Sequence, residues 1–164
     1  MTVCGVVIYS ALFLLVPRTA TYAGPSSSGT ASINFYEVAE SPKEGFSAMT
    51  GGNGLKGRTL YVGRTPDMTM DDIAGVAALL EKNGPVLRIT FTPEGREKFK
   101  TLTSTRSAGG KVSREAIAIN GDLVSAPSIR QEIDAPSADI DGGGPYWQAE
   151  IDAFIRALPS DKRY

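Results

Sequence analysis

A chain of 164 residues, with 17 Lys+Arg against 18 Asp+Glu, can form one domain with its own core, and its cancelled charge supplies no field for nucleic acid, an anionic membrane or an acidic partner. Hydrophobic residues at 41% and charged residues at 21% exclude the composition of disordered chains. The absence of histidine excludes Ser-His-Asp triads, Cys-His pairs, imidazole zinc ligation and a histidine pH switch.

From Val3 to Val16 the chain is apolar except for Tyr9 and Ser10, and Pro17, Arg18 and the small-residue run ending Tyr22-Ala23-Gly24 follow. A spanning helix needs about 20 apolar residues, whereas a signal-peptide core needs about 7–15. Residues 1–23 therefore read as a signal peptide cut after Ala23, or as an uncleaved anchor. Either way the rest of the chain lies outside the cytoplasmic membrane, exported to the periplasm or held at the membrane by that segment alone. Cys4, the single cysteine, precedes the apolar core, where a lipid-bearing cysteine would follow it. Its removal with the leader leaves no disulfide, no thiolate nucleophile and no sulfur-ligated metal.

Residues 24–32 are small and polar and read as a flexible linker, residues 33–159 as the domain, and residues 160–164 as a charged tail. Ile33 to Val38 alternates like a strand, and Thr59 to Gly63 reads as another on β-branched and aromatic content. Between them a long loop runs through Pro42, Gly45, Gly51, Gly52, Gly54 and Gly57. Thr69-Met70-Asp71-Asp72 approximates a capping box, and Ile73, Val76, Ala77 and Leu80 share a helical stripe, so a helix is predicted there, stopped by Asn83-Gly84-Pro85. Val86 to Thr92 is a half-buried strand with Leu87, Ile89 and Phe91 inward. Thr92 then caps a helix with Pro93 at its first position and Phe99 and Leu102 on its inner face. Ser104 to Arg114 reads as a mobile loop. Glu115 to Ile119 and Asp122 to Ser125 flank Asn120-Gly121, a pair that supplies the positive φ values of a type I′ hairpin turn. Ser137 to Asp141 adds a short strand, and a final helix aligns Trp147, Ile151, Phe154, Ile155 and Leu158 before Pro159. The class is α+β, a two-layer sandwich with helices on one face of a mainly antiparallel sheet.

The residues with chemical potential mostly resolve into structure. Gly52-x-Gly54-x-x-Gly57 has the bare spacing of a dinucleotide fingerprint but opens a strand at Thr59 instead of a helix, so it reads as a loop with no cofactor. Ser107 to Lys111 lacks the first glycine and the hydroxyl of a phosphate loop. Asp139 and Asp141 beside Gly142 offer two carboxylates without calcium-loop spacing, so no metal is assigned. Glu94, Asp71 and Asp72 sit where the positive end of a helix dipole favours acids. No catalytic group is assigned. A hydrolase built on carboxylates is the minor alternative to a binding module.

Phe91-Thr92-Pro93-Glu94-Gly95-Arg96-Glu97-Lys98-Phe99 with Leu102-Thr103, the hairpin from Ala116 through Asn120-Gly121 to Ser125-Ala126-Pro127, Ile133 followed by Ala138 to Gly142, and the Asp71-Asp72-Ile73 start together resemble the periplasmic head subdomain of the SecD/SecF protein-export family. The resemblance runs from Leu60 to Leu158. It marks Phe91, Gly95, Phe99, Asn120, Gly121, Ser125, Ala126, Pro127 and Gly142 as family-motif positions of structural kind. It implies an auxiliary role in protein export, in which the head engages unfolded polypeptide or an envelope or translocase partner. The family's membrane-helix bundle and base subdomain are missing from this chain, so the expectation is a stand-alone, non-catalytic module. The alternative is a structural or small-ligand-binding envelope protein reusing the fold, with the loop from Gly45 to Arg58 as its recognition surface.

Overall fold

The structure, a computed structural model, describes residues 31–143 and 146–164. The leader and residues 24–30 of the linker lie outside the described residues, as do Gly144 and Pro145 before the final helix. Nine strands and two α-helices follow in the order β1 (Ile33–Ala39), β2 (Phe46–Thr50), β3 (Thr59–Gly63), β4 (Ile73–Glu81), β5 (Gly84–Phe91), α1 (Pro93–Ser107), β6 (Ser113–Ile119), β7 (Asp122–Ser125), β8 (Ser128–Ile129), β9 (Ser137–Ile140) and α2 (Trp147–Ala157). The class is α+β, as the residue pattern implies, with the strands divided between two antiparallel sheets.

The larger sheet has the order β2-β3-β1-β6-β7, with β8 also on β6. β6 lies inside it, bordered by β1, β7 and β8, and its residues Glu115 through Ile119 are buried on both faces. On one face Ile117 and Ile119 join Ile33, Phe35 and the inner residues of the second sheet and both helices in the main core. On the other face Ala116 meets Leu60, Val62, Leu123 and Ala126 in a smaller core. That second core is possible because the sheet curls. The Gly52 amide, just past β2 at one end, donates to the Leu123 carbonyl of β7 at the other, at 3.0 Å. Gly54 lies against the Gly142 carbonyl, and an added Cβ would meet that oxygen at 1.5 Å. The glycine-rich segment is thus a clasp between sheet ends, with a short 3-10 turn at Asn53–Leu55. The long loop predicted there also hides β2, whose Ser and Ala residues and half-exposed surface carry little strand signal.

The helix predicted from Ile73 is a strand. Its capping box is real: Thr69 Oγ1 accepts from the Asp71 amide, and Asp72 Oδ2 accepts from the Thr69 amide at 2.9 Å. It closes a single 3-10 turn, Met70–Asp72, after which Ile73 is extended at φ −110° and ψ 121°. A bulge between Ile73 and Gly75 then puts Ile73 and Val76 on the buried side. An i, i+3 spacing that imitates a helix results, while Leu80, the far end of the supposed stripe, is 84% exposed. Lys82 and Asn83 turn the β4–β5 hairpin, with Glu81 opposite Gly84. Three helices accordingly become two.

Ser104 to Ser107, read as loop, completes α1, and the strand β6 begins at Ser113. Thr103 keeps that last turn inward: buried, it donates to the Phe99 carbonyl at 2.9 Å and accepts from the Ile133 amide at 2.9 Å. The final residues lie along β4. The Tyr164 amide donates to the Val76 carbonyl at 3.1 Å, and the Lys162 ammonium donates to the Ile73 carbonyl.

One substitution made at two leucines checks the reassignment of β4. Leu87→Ala, at a fully buried position of β5, should cost about 2–5 kcal/mol in denaturant unfolding. Leu80→Ala should stay within about 0.5 kcal/mol. A comparable loss at both positions would restore the helical stripe.

Candidate functional site

The positions singled out in the sequence fall in three places. Phe91, Gly95 and Phe99 meet where β5 hands over to α1. Thr92 caps the helix, its hydroxyl accepting from the Gly95 amide at 2.9 Å, and its own amide donates to the Asp72 carbonyl at 3.0 Å. Gly95 is pressed on that same backbone, where a Cβ would lie 2.0 Å from the Asp72 carbonyl oxygen. Phe99 stacks on Phe91 at 4.8 Å between centroids and meets Phe35 edge-on at 6.3 Å. Asn120, Gly121, Ser125, Ala126 and Pro127 lie along the β6–β7 hairpin. Asn120 and Gly121 adopt φ 52° and 87°, as a type I′ turn requires. The Asn120 side chain accepts from the Ser32 amide at 3.0 Å. Ser125 pairs with Ile117 across a bulge, Ala126 fills the smaller core, and the Pro127 carbonyl accepts from the Glu115 amide at 3.1 Å. Gly142 stands apart, under the Trp147 ring, which a Cβ would meet at 2.5 Å. These positions do not converge on a pocket; each occupies a close backbone approach, a turn or a core.

The carboxylates weighed as ligands also separate. Asp139 receives both arms of the Arg88 guanidinium at 2.7 Å, and these hydrogen bonds hold its carboxyl below the usual range. Asp141 accepts from the Gly143 amide at 2.8 Å. Asp72, besides its capping role, pairs with Lys98 at 3.0 Å.

A different cluster, which sequence reasoning missed, concentrates charge inside the molecule. Glu37 of β1 and Glu115 of β6 are direct cross-strand partners on the face that carries Phe35 and Ile117. Like charges so placed repel. Arg106, from the last turn of α1, lies over them, 3.2 Å from Glu37 and 2.9 Å from Asp67, with its Nε 3.6 Å from Glu115. Glu115 is 2% exposed, and neither of its oxygens nor the Arg106 Nε finds a hydrogen-bond partner among the described residues. Desolvation first, then the charge of Asp67, pushes the Glu115 carboxyl up to about 8 against the pull of Arg106. Burial opposes the Arg106 charge, but the combined field of Asp67, Glu37 and Glu115 more than restores it. Above the cluster Asp67, Glu97, Lys98, Thr101 and Leu102 line a shallow depression of about 470 Å³ on the outer side of α1. The sequence carried one faint sign, a glutamate directly before the apolar run Ala116 to Ile119. Its partners lie 9, 48 and 78 positions away, at Arg106, Asp67 and Glu37, beyond any local pattern.

Comparison with known proteins assigns the architecture. Residues 46–155, from β2 into α2, match the SecDF P1 head subdomain. The chain belongs to this family. A 78-residue stretch is 41% identical to the protein translocase subunit SecDF of Thermus thermophilus, covering 47% of this chain and 10% of that protein. A crystal structure of SecDF in its super-membrane-facing form superposes with a TM-score of 0.58 at 27% identity, over 79% of this chain and 19% of that one. A further structure, of SecDF as a membrane component that enhances protein export, gives 0.56 at 25% identity, over 79% and 63%. The chain thus spans about a tenth of the curated SecDF it matches. Among the described residues of this P1 head no helix is long and apolar enough to cross a membrane. β1, which supplies Phe35 and Glu37, precedes the range of that family match.

Two measurements probe these contacts. Gly95→Ala should cost about 1–3 kcal/mol, since neither helix nor capping turn can yield without breaking the Thr92 cap; an unchanged unfolding midpoint would refute the close approach. For Glu115 the folded pKa of about 8 stands above the unfolded value of 4.5, so the folded state binds more protons between them. Its contribution is fully present below the unfolded value and is lost as pH rises through about 8. Thermal unfolding should show stability falling over that window, and Glu115→Gln should flatten the fall. An identical pH profile in the variant would show that Glu115 is charged throughout.

Proposed function

We propose that the chain is a non-catalytic module of protein export, working outside the cytoplasmic membrane, that binds unfolded polypeptide or a translocase partner. The observation that carries this reading is the match of residues 46–155 to the SecDF P1 head, which takes in every strand except β1 and most of α2. A structural relative is described as enhancing protein export, and the same architecture here supports work at the same step. The side chains favour binding over chemistry. The acids of the interior are gathered around Arg106, and Asp139 is taken up by Arg88, so their arrangement serves packing and charge balance. The described head would act by contact with a chain or a translocase delivered to it.

The test is photocrosslinking in a bacterial envelope, with the full chain carrying a photoreactive residue at Thr101 in the depression or at Ser47 on β2. Crosslinks to secretory chains or translocase proteins above the level given by an inert exported domain are expected. A yield equal to that of the inert domain at both positions would sink the proposal.

A further inference from the structure

The two sheets end in several edges, and most are closed. β7 is covered by the clasp from Gly52, whose amide reaches Leu123. β4 is covered by Arg163 and Tyr164, through the bridge to Val76 and the Tyr164 amide. β8 has two residues, and β9 has four and carries the charged Asp139. β2 is different. It is five residues long, pairs among the described strands with β3 alone, and reads Phe46-Ser47-Ala48-Met49-Thr50, with no charge, no proline and no register shift. Natural edges are ordinarily blunted by lysine, proline or a bulge, because an open edge is a template for another strand.

The phase of the ladder shows which backbone groups are left over. The Gly51 amide donates to the Arg58 carbonyl at 2.8 Å, and the Arg64 amide to the Gly45 carbonyl at 3.1 Å. Odd-numbered residues of β2 therefore hydrogen-bond to β3, because narrow and wide pairs alternate in an antiparallel ladder. The N–H groups of Ala48 and Thr50 and the carbonyls of Phe46, Ala48 and Thr50 point the other way, and no described strand pairs with them. Ala48 and Thr50 are exposed, while Met49 anchors the strand from behind by packing on the smaller core. The edge is held in place and its outer side is open. The surrounding charge is net positive. From residue 43 to residue 64 the chain carries Lys43, Lys56, Arg58 and Arg64 against Glu44, four positive charges less one negative, or +3, in a protein whose net charge is −1.

We infer that the outer edge of β2 is a docking strand: an extended, uncharged or acidic segment of unfolded polypeptide adds to it through main-chain hydrogen bonds at Ala48 and Thr50. This rests on the polypeptide-binding reading above and gives it a location. Strand addition suits a partner of varied sequence, since the backbone supplies the affinity and side chains little of the selection. The positive flanks disfavour basic segments. The same stretch was marked in the sequence as a recognition loop, from Gly45 to Arg58; the recognition element is the strand inside it.

The experiment uses the full chain and, as probe, a fluorescent, reduced and carboxymethylated unfolded polypeptide, read by anisotropy and by hydrogen exchange. Binding should slow exchange at the amides of Ala48 and Thr50. Ala48→Pro removes one outward donor without touching a bond to β3, so it should weaken binding about tenfold, the loss expected for one hydrogen bond and the pairing beyond it. Ala48→Lys, which restores an edge guard, should act in the same direction even if the proline variant fails to fold. Undiminished binding by the variants, with amides 48 and 50 unaffected, would overturn the docking strand and leave polypeptide binding standing elsewhere on the surface. No binding by the wild-type chain would overturn both. Amides already protected in the free protein would also overturn it: protection independent of concentration would assign the edge to the chain's own N-terminal segment, and protection that grows with concentration to a second copy.

Discussion

Burial of β6 on both faces is the constraint from which the rest of the molecule follows. A strand whose Ala116, Ile117, Ala118 and Ile119 are all shielded needs cover on two sides. One side is met by the second sheet and both helices, which bring Phe99, Ile151 and Phe154 to the face of Ile117 and Ile119. The other side has no α-helix among the described residues; there the sheet covers itself, and the Gly52 and Gly54 clasp draws β2 round toward β7 over Ala116 and Leu123. The small residues at 116, 118 and 126 and the glycines of the clasp belong to one solution, since a curled sheet leaves little room inside the bend.

The same constraint explains the buried charge. Double-sided cover extends one residue past the apolar run, to Glu115, which is sealed opposite Glu37 and depends on Arg106 for relief. Removing the Glu115 carboxylate and most of the Arg106 guanidinium from water costs more than imperfect pairing returns, and protonation of the acid is the cheaper outcome. α1, β1 and β6 are thereby tied through one side chain at the end of α1, next to the depression under Asp67. A charge-balanced joint of this kind fixes the helix end on the sheet while leaving its hold dependent on proton occupancy near neutrality.

The rim of the curled sheet, in contrast, has an open side. β2 is anchored from behind by Met49 and at its far end by the clasp, and no described strand shares its outer backbone. In the proposed role, this edge presents main chain, whose hydrogen bonding is common to all polypeptides.

Local chemistry was readable wherever one short segment carries its own explanation. The Thr92-Pro93 start of α1, the Asn120-Gly121 turn, the alternation of Leu87, Ile89 and Phe91 and the stripe of α2 each need no distant partner, and each is found as read. Tertiary contacts decided the remainder. Pairing along β5 turned the apparent helical stripe of Ile73 and Val76 into a bulged strand, because a bulge and a helical turn both return a side chain to one face after three residues. Pairing with β3 made a strand of Phe46 to Thr50, whose propensity is weak. The charged joint joins Glu37, Asp67, Arg106 and Glu115 over nearly eighty positions. Sequence alone determined the caps, turns, α+β class and resemblance to the export head, since these rest on contacts within a few residues. Only the fold decided which carboxylate is buried and which edge is open, since both depend on what the rest of the chain leaves uncovered.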